Sequence, residues 1–351
     1  MITVLVVDDS AFMRKAISTM LGRDPQIEVV AIARNGEEAL EKIRLHNPDV
    51  VTMDIEMPKM DGLTALRRVM MESPRPVIMV SSLTSEGAEA TLRAMELGAV
   101  DFIPKQLSKV SLEIIKIEES LRAKVKAVAH RRFRASAQRR FSTASPEVKK
   151  KFTKPRVGTR PARDLVGIGV STGGPPAVQK LLSGLSKDFP VPIVIAQHMP
   201  QAFTGPFARR LDAISSLAVK EAENGERLKN GTVYIAPGGQ HTRLIQRMSH
   251  IAVEISSEPR DALYRPSASV LLHSLAECVG GRGLGLILTG MGNDGLEGIQ
   301  VLKKRGGRAI AQSDATCVVY GMPKAIVDAG LADEIVDIED MAAALVENIY
   351  R

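Results

Sequence analysis

A serine, a histidine and an aspartate each follow a separate apolar segment in the second half of the chain. Ser171 stands in the run Gly-Val-Ser-Thr-Gly-Gly-Pro, and His198 and Asp294 follow two later segments. Parallel strands bring the residues at their carboxyl ends to one edge of a sheet. A serine hydroxyl needs a neutral imidazole to accept its proton, and the imidazole needs a carboxylate that fixes its tautomer. The three residues therefore predict a site for nucleophilic acyl transfer.

Each of these residues also has an alternative interpretation. A glycine-rich run is typical of a strand-to-helix turn in which Ser171 only caps the helix, and Asp294 can equally cap a helix that begins near residue 296. His241 is a rival base, because it also follows an apolar segment and stands beside two glycines. We favour His198, since its segment is more apolar and is the next one along the chain after that of Ser171.

A second set of polar residues follows apolar segments in the first half of the chain. Asp8, Asp9, Asp54, Ser81 and Lys105 all stand at such ends. Carboxylates that converge raise one another's pKa unless a cation lies among them, and hard oxygen ligands suit Mg²⁺. Lys105 offers a cation and Ser81 a hydroxyl to a phosphoryl group. Asp54 precedes the turn Met-Pro-Lys-Met-Asp-Gly and is the predicted nucleophile.

Strand-like and helix-like segments alternate along both halves of the chain. Five such pairs over about the first 125 residues predict a five-stranded, doubly wound, flavodoxin-like parallel sheet. Residues from 164 onwards predict a second doubly wound, mostly parallel α/β domain. We therefore expect two domains, 1–125 and 164–351, joined by a linker over 126–163.

The positive charge of the chain is concentrated in one segment. The formal net charge is +7, but residues 121–163 hold 15 Lys or Arg and one acid, so the remainder carries −7. This distribution favours a solvated basic linker over a nucleic-acid surface. The two cysteines show no metal-ligand spacing, and no apolar run approaches the roughly 18 residues of a membrane span. We therefore expect a cytoplasmic protein without nucleic-acid binding or membrane insertion.

The N-terminal pattern resembles the response-regulator receiver domain. The resemblance rests on the Asp-x-x-Met-Pro-x-Met-Asp-Gly run together with Asp8, Asp9, Asp54, Ser81 and Lys105. It implies that Asp54 accepts phosphate from a histidine kinase and that Mg²⁺ is held by Asp9, Asp54 and Asp8. It also implies that Phe102 is the aromatic switch residue. Gln106 departs from the pattern, because many receivers have proline there.

The second half resembles the catalytic domain of the chemotaxis methylesterases. Five motifs occur in the order of that family: Gly-Val-Ser171-Thr-Gly-Gly-Pro, Gln-His198-Met-Pro, Arg265-Pro-Ser-Ala, Thr289-Gly-Met-Gly-Asn-Asp294-Gly and Tyr320-Gly-Met-Pro-Lys. The resemblance implies that Ser171, His198 and Asp294 form a catalytic triad. It also implies that Met291 offers its backbone N–H to an oxyanion and that Thr172 flanks the active site.

The two resemblances together imply a function in bacterial chemotaxis. They indicate a phosphorylation-activated serine hydrolase that demethylates glutamate methyl esters on the cytoplasmic domains of methyl-accepting chemoreceptors. Many members of the family also deamidate receptor glutamines. The implied partners are the chemoreceptors and a chemotaxis histidine kinase. Mg²⁺ is expected for phosphorylation, and no cofactor is expected for ester hydrolysis.

Three alternatives have weaker support in the sequence. An α/β-hydrolase places its triad in the order Ser, Asp, His, whereas this chain has Ser, His, Asp. A response regulator with a DNA-binding output needs a compact helix-turn-helix, and the second half shows none. A dinucleotide fingerprint starting at Gly167 needs glycine at its sixth position, where Thr172 stands.

Overall fold

The computed structural model describes residues 1–105, 111–129 and 160–351, and the chain divides into two compact units, Met1–Pro146 and Glu147–Arg351. The division falls inside the predicted linker. Most of that linker lies outside the described residues, as does Gln106. Among the residues that are described, no helix is long and apolar enough to cross a bilayer.

The first unit contains a parallel sheet of five strands in the order β2-β1-β3-β4-β5. The strands are β1 (Ile2–Val7), β2 (Ile27–Ala33), β3 (Val50–Asp54), β4 (Val77–Ser81) and β5 (Asp101–Pro104). The helices are α1 (Ala11–Gly22), α2 (Gly36–His46), α3 (Gly62–Glu72), α4 (Ser85–Glu96) and α5 (Ser111–Ala129). The chain changes direction across the sheet between β1 and β3, and ligands bind at such a point in doubly wound sheets. The predicted five-stranded fold is confirmed.

Burial and helix capping explain why these segments fold as they do. Every residue of β3 and of β4 is buried, which accounts for their continuous apolar sequences. Four helices of this unit begin at side chains that accept an N–H from three residues further on, namely Ser10, Asn35, Asp61 and Thr84. The strand ends and helix starts are thereby fixed, and the polar residues between them are held at one edge of the sheet.

The second unit contains a parallel sheet of seven strands in the order β14-β13-β12-β6-β7-β9-β8, and an antiparallel pair, β10-β11. The strands are β6 (Leu165–Val170), β7 (Ile193–Gln197), β8 (Ala218–Glu221), β9 (Thr232–Ile235), β10 (His241–Gln246), β11 (Ile251–Ser256), β12 (Gly283–Ile287), β13 (Arg308–Gln312) and β14 (Glu334–Val336). The helices are α6 (Gly174–Ser183), α7 (Gln201–Ile214), α8 (Ala268–Val279), α9 (Leu296–Lys304), α10 (Met322–Asp328) and α11 (Met341–Tyr350). The predicted mostly parallel α/β fold is confirmed.

The two glycines of β6 serve the packing of helix α8 against the sheet. A Cβ atom added to Gly167 would lie 2.9 Å from the side chain of Leu275, and one added to Gly169 would lie 2.6 Å from that of Ala268. Both neighbours belong to α8 and are fully buried. Side chains at either glycine would push the helix away from β6. This packing accounts for the Gly-Ile-Gly sequence without a dinucleotide site.

Candidate active site

Ser171 occupies the turn between β6 and α6. Its N–H donates to the carbonyl oxygen of Thr289 (3.0 Å), and its own carbonyl oxygen accepts the N–H of Gly174 (2.8 Å). Gly173 has a φ of +76°, and a Cβ atom there would collide with Val318. Because α6 is capped by Gly173 without any side-chain hydrogen bond, the alternative that Ser171 caps this helix is wrong. The half-buried serine side chain is left for another role.

His198 lies beside Ser171 on the neighbouring strand. The parallel register pairs Val170 with Gln197, so the serine and the histidine are the next residues along β6 and β7. The N–H of His198 donates to the carbonyl oxygen of Val170 (3.0 Å). The buried amide of Gln197 donates to the carbonyl oxygens of both Ser171 (3.1 Å) and His198 (3.2 Å). Adjacent strands lie about 4.8 Å apart, so the two residues are neighbours at the sheet edge.

Asp294 is the partner of His198. Its Oδ2 atom lies 2.8 Å from Nε2 of the histidine. The carboxylate also accepts the Ser267 hydroxyl (2.9 Å) and the backbone N–H groups of Ala268 (2.6 Å) and Ser269 (2.9 Å). It therefore binds at the start of α8. The alternative that it caps the helix near residue 296 is wrong, because α9 begins at a glycine without a side-chain cap.

The surroundings of Asp294 keep its carboxyl group ionised. Burial is the largest single influence on the pKa of Asp294 and raises it, but the hydrogen bond and charge of His198 together with the N–H groups of Ser269 and Ala268 outweigh it. The net result holds the pKa of this carboxyl well below its usual range. The positive end of the α8 dipole acts in the same direction. The histidine therefore faces a permanent negative charge.

Two contacts hold the ring of His198, one to a ring face and one to a ring nitrogen. Tyr264 stacks on it with a distance of 4.1 Å between ring centroids and an angle of 10° between ring planes. Nε2 contacts the carboxylate of Asp294, whereas the buried Nδ1 atom has no hydrogen-bond partner in the described part of the chain. Nδ1 is therefore the ring nitrogen that Asp294 leaves open, and no hydrogen bond joins it to the hydroxyl of Ser171 in the described residues.

The loop after β12 passes close to Ser171. A Cβ atom on Gly290 would lie 2.8 Å from Cβ of the serine, so only glycine fits there. Met291 follows, half-buried, and its N–H meets no acceptor in the ranges that the structure describes. Thr172 is buried, and its carbonyl oxygen accepts the hydroxyl of Thr289 (2.8 Å). The loop thus passes Ser171 at Gly290, and Met291, the predicted oxyanion donor, is the next residue along that loop.

His241 cannot act as the base in this arrangement. It is fully buried, and backbone groups hold both of its ring nitrogens. Nδ1 lies 3.3 Å from the N–H of Ser267, and Nε2 lies 3.1 Å from the carbonyl oxygen of Pro259. Neither nitrogen is left to accept a proton from a serine.

In the first unit, four predicted residues meet at the carboxyl ends of the strands. The ammonium of Lys105 lies 2.6 Å from Oδ2 of Asp54 and 3.1 Å from Oδ2 of Asp8. Asp54 and Asp8 are buried, and Asp9 is exposed. Carboxylate oxygens of all three aspartates lie within 4.8 Å of one another. The second Asp54 oxygen accepts the N–H of Ile55 (2.7 Å).

Burial disfavours the charged form of Asp54. It raises the pKa of this carboxyl group to about 6, against the opposing hydrogen bond and charge of Lys105. Burial alone lowers the pKa of Lys105, but its contacts with Asp54 and Asp8 outweigh this and raise it. The lysine thus remains charged beside a carboxylate whose charge is poorly solvated. An additional cation at this site would stabilise the carboxylate.

The other two predicted residues of this unit are turned towards its interior. Ser81 lines the same pocket as Asp54 and Lys105, but its hydroxyl is within hydrogen-bonding distance of Thr91 Oγ1 (2.7 Å) and the Gly87 carbonyl oxygen (3.2 Å). The ring of Phe102 is buried. Ser81 therefore lies at the predicted site, and Phe102, the predicted aromatic switch residue, is in its buried position.

Two family models match the chain. The one described as CheB methylesterase matches residues 166–345, and the one described as response regulator receiver domain matches residues 4–115. The chain belongs to the CheB methylesterase family. A receiver domain implies a phosphodonor kinase and Mg²⁺ during phosphorylation, and a methylesterase domain implies chemoreceptor substrates.

Relatives in this family match the chain over its whole length. A protein-glutamate methylesterase/protein-glutamine glutaminase 2 of Nitratidesulfovibrio vulgaris is 64% identical, with 100% of both chains covered. A protein-glutamate methylesterase/protein-glutamine glutaminase of Bacillus subtilis is 46% identical, with 100% of this chain and 99% of the relative covered. The crystal structure of the Thermotoga maritima CheB methylesterase catalytic domain is 41% identical, with a TM-score of 0.52, and covers 53% of this chain and 98% of its own.

Sequence reasoning missed several residues that support the methylesterase site. Tyr264 stacks on the base, Ser267 binds the carboxylate, and Gln197 links the backbones of the serine and the histidine. Ser267 and Tyr264 precede α8, in a segment without strand or helix periodicity. Ser267 is itself the serine of the Arg265-Pro-Ser-Ala motif and Tyr264 directly precedes that motif, but the pattern assigned neither side chain a role. Gln197 was visible as the neighbour of His198.

Proposed function

We propose that this chain is a phosphorylation-activated serine hydrolase that cleaves glutamate methyl esters on the cytoplasmic domains of chemoreceptors. The contact between His198 and Asp294 carries this proposal, because it lies at the sheet edge beside Ser171. The printed names of the relatives describe the same reaction. Those names also include protein-glutamine glutaminase, so we propose receptor glutamines as a second class of substrate.

The reaction uses Ser171 as the nucleophile. Its Oγ atom attacks the ester carbonyl carbon while Nδ1 of His198 takes the hydroxyl proton. The oxygen of the tetrahedral intermediate receives the N–H of Met291. His198 then returns the proton to the departing oxygen, so that methanol leaves and an acyl-enzyme remains. A glutamine substrate releases ammonia at the same step.

Hydrolysis of the acyl-enzyme repeats these steps with water. His198 removes a proton from the water molecule, and the resulting oxygen attacks the acyl carbon. The bond to Ser171 breaks as its Oγ atom recovers the proton, and the glutamate carboxylate is released. Asp294 does not exchange protons in either half of the reaction. It holds the ring and stabilises the imidazolium that forms twice.

In the receiver domain, we propose that Asp54 accepts the phosphoryl group of a chemotaxis histidine kinase. An Mg²⁺ ion fits the cluster of Asp8, Asp9 and Asp54, because their carboxylate oxygens lie close together. In the described residues, Oδ2 of Asp8 and Oδ2 of Asp54 contact only the ammonium of Lys105. The ion supplies charge neutralisation during phosphoryl transfer. Lys105 contacts Oδ2 of Asp54 and stabilises negative charge on that oxygen. We assign the domains to 1–125 and 164–351, with the linker at 126–163.

Two measurements test the proposed function. Purified protein is mixed with methyl-esterified receptor fragments, and methanol release is followed with and without a small phosphodonor and Mg²⁺. We expect release from the wild type, faster release with the phosphodonor, and no acceleration in Asp54→Asn. Absence of methanol release from the folded wild type under both conditions would contradict the hydrolase. Phosphoryl labelling of Asp54→Asn at the wild-type level would contradict the assignment of the phosphorylation site.

A further inference from the structure

His241 is a fully buried histidine that the proposed reaction does not use. Its Nε2 atom faces the carbonyl oxygen of Pro259, which can only accept, so the proton is on Nε2. Its Nδ1 atom is then free of a proton and accepts the N–H of Ser267. Burial is the main influence on the pKa of His241 and lowers it, with Arg265 acting in the same direction and Asp294 opposing it. The ring is therefore neutral, with a defined tautomer.

The residue that His241 holds also contacts the catalytic carboxylate. The hydroxyl of Ser267 donates to Oδ1 of Asp294 (2.9 Å) and accepts the N–H of Val270 (3.3 Å), which caps helix α8. Oδ2 of Asp294 in turn lies 2.8 Å from Nε2 of His198. A continuous series of hydrogen bonds therefore connects the buried histidine to the base.

The position of Ser267 also determines where the first N–H groups of α8 point. Two of these groups, on Ala268 and Ser269, donate to Asp294. If His241 were replaced by a residue without an acceptor, the N–H of Ser267 would lose its partner in a buried place, which is unfavourable. Relief of that penalty requires the helix start to move. Movement there changes three of the contacts that orient the carboxylate.

We propose that His241 is a positioning residue of the hydrolase, which acts through Ser267 to set the orientation of Asp294 and thereby of His198. The inference rests on the proposed function of the triad. It assigns to His241 a role as a hydrogen-bond acceptor from the backbone, and no proton transfer with the substrate. The essential atom is Nδ1.

Two conservative variants separate the two ring nitrogens. His241→Asn keeps an acceptor near the position of Nδ1, and His241→Gln keeps a donor near that of Nε2. We expect the Asn variant to retain most of kcat, and the Gln and Ala variants to lose about tenfold or more in kcat, with KM little changed. The matched control is Thr242→Val on the same strand, since Thr242 is buried and its hydroxyl has no hydrogen-bond partner in the described residues. Equal kcat values for the Asn and Gln variants would overturn the proposal.

A double-mutant comparison separates positioning from general destabilisation. In an Asp294→Asn background, His241→Gln should cause little further loss of kcat, because the pathway from His241 to the base already ends at an altered residue. A loss of the same factor in both backgrounds would overturn the proposal.

A third measurement uses only the wild-type protein and does not depend on activity. Nitrogen-15 NMR of the histidine rings should show His241 as the neutral Nε2–H tautomer at about pH 7, below which an ordinary histidine begins to protonate. A charged ring or the Nδ1–H tautomer at that pH would overturn the proposal even if every variant misfolds. Failure of the proposed function is distinguishable, because it appears as absence of methanol release from the wild type.

Discussion

Asp294 contacts Nε2 of His198, at 2.8 Å, and leaves Nδ1 on the side of the ring without a partner in the described residues. In the serine proteases the carboxylate holds Nδ1–H, and Nε2 faces the serine. In this chain the carboxylate contacts the other ring nitrogen, Nε2. The carboxylate is held at the start of α8, and the serine lies on the strand next to that of the histidine.

The first prediction concerns the unequal importance of the triad residues. Ser171→Ala and His198→Ala should lower kcat by about a million-fold, and the double variant should be little worse, because the pair acts as a unit. Asp294→Asn should lower kcat by about ten thousand-fold, since the carboxylate only orients and stabilises the base. Methanol release per enzyme is the measurement. A fully active, folded His198→Ala variant would show that the base is another residue.

The second prediction concerns Gly290, the glycine in the loop that packs against Ser171. A Cβ atom at Gly290 would lie 2.8 Å from Cβ of Ser171 and would also collide with Sδ of Met322. The methionine can move, but the serine is held by its backbone. Gly290→Ala should therefore destabilise the protein by about 1–3 kcal/mol and lower kcat/KM.

Thermal unfolding and methanol release test the Gly290 variant together. The matched control is Gly22→Ala at the end of helix α1, where an added Cβ would meet nothing within 4 Å. Alanine is favoured over glycine inside a helix by up to about 1 kcal/mol, so the control should be at least as stable as the wild type. Wild-type activity of Gly290→Ala would show that the loop is not packed against the nucleophile as described.

The third prediction concerns the amide between the serine and the base. Gln197 donates to the carbonyl oxygens of both Ser171 and His198. Gln197→Met keeps a side chain of similar length but removes both donors. We expect kcat to fall by about tenfold, because loss of two buried hydrogen bonds loosens the relative position of the two residues. Gln179→Met on the adjacent helix α6 is the control, and equal effects of the two changes would refute the prediction.

Much of the candidate site could be predicted from the sequence, because parallel strands place their terminal residues at one edge. That rule was enough to bring together Ser171 with His198 in one unit and Asp54 with Lys105 in the other. Strand register determines these contacts, and apolar runs reveal the strands. Which ring nitrogen of His198 faces the carboxylate depends on a side-chain torsion, for which the sequence pattern has no signal.

Other parts of the site depend on contacts between segments that are distant in sequence. Ser267 reaches Asp294 only because α8 packs against the glycines of β6. The hairpin β10-β11, which carries His241, was not predicted as a hairpin, and the apolar segment before this residue made it look like another strand-end base. The burial of both ring nitrogens of His241 depends on contacts with residues that are distant in the sequence. Residue type and strand position alone could not distinguish a supporting histidine from a catalytic one.

The last prediction concerns the pH dependence of Mg²⁺ binding by the receiver domain. Burial raises the pKa of Asp54 to about 6, so in the metal-free protein this carboxyl group takes up a proton as the pH falls through that value. A proton and a cation compete for the same oxygens. The apparent affinity for Mg²⁺ should therefore weaken by about tenfold between pH 7 and pH 5, as expected for one group that titrates near pH 6.

Calorimetric titration of the full chain with Mg²⁺ gives this affinity directly. Asp54→Asn should bind Mg²⁺ more weakly and with little dependence on pH over that range, whereas Glu28→Gln, an exposed residue of β2 outside the three-aspartate cluster, should keep the wild-type dependence. An affinity that stays constant from pH 7 to pH 5 in the wild type would mean that the carboxyl group of Asp54 is already ionised throughout, and that Lys105 outweighs its burial.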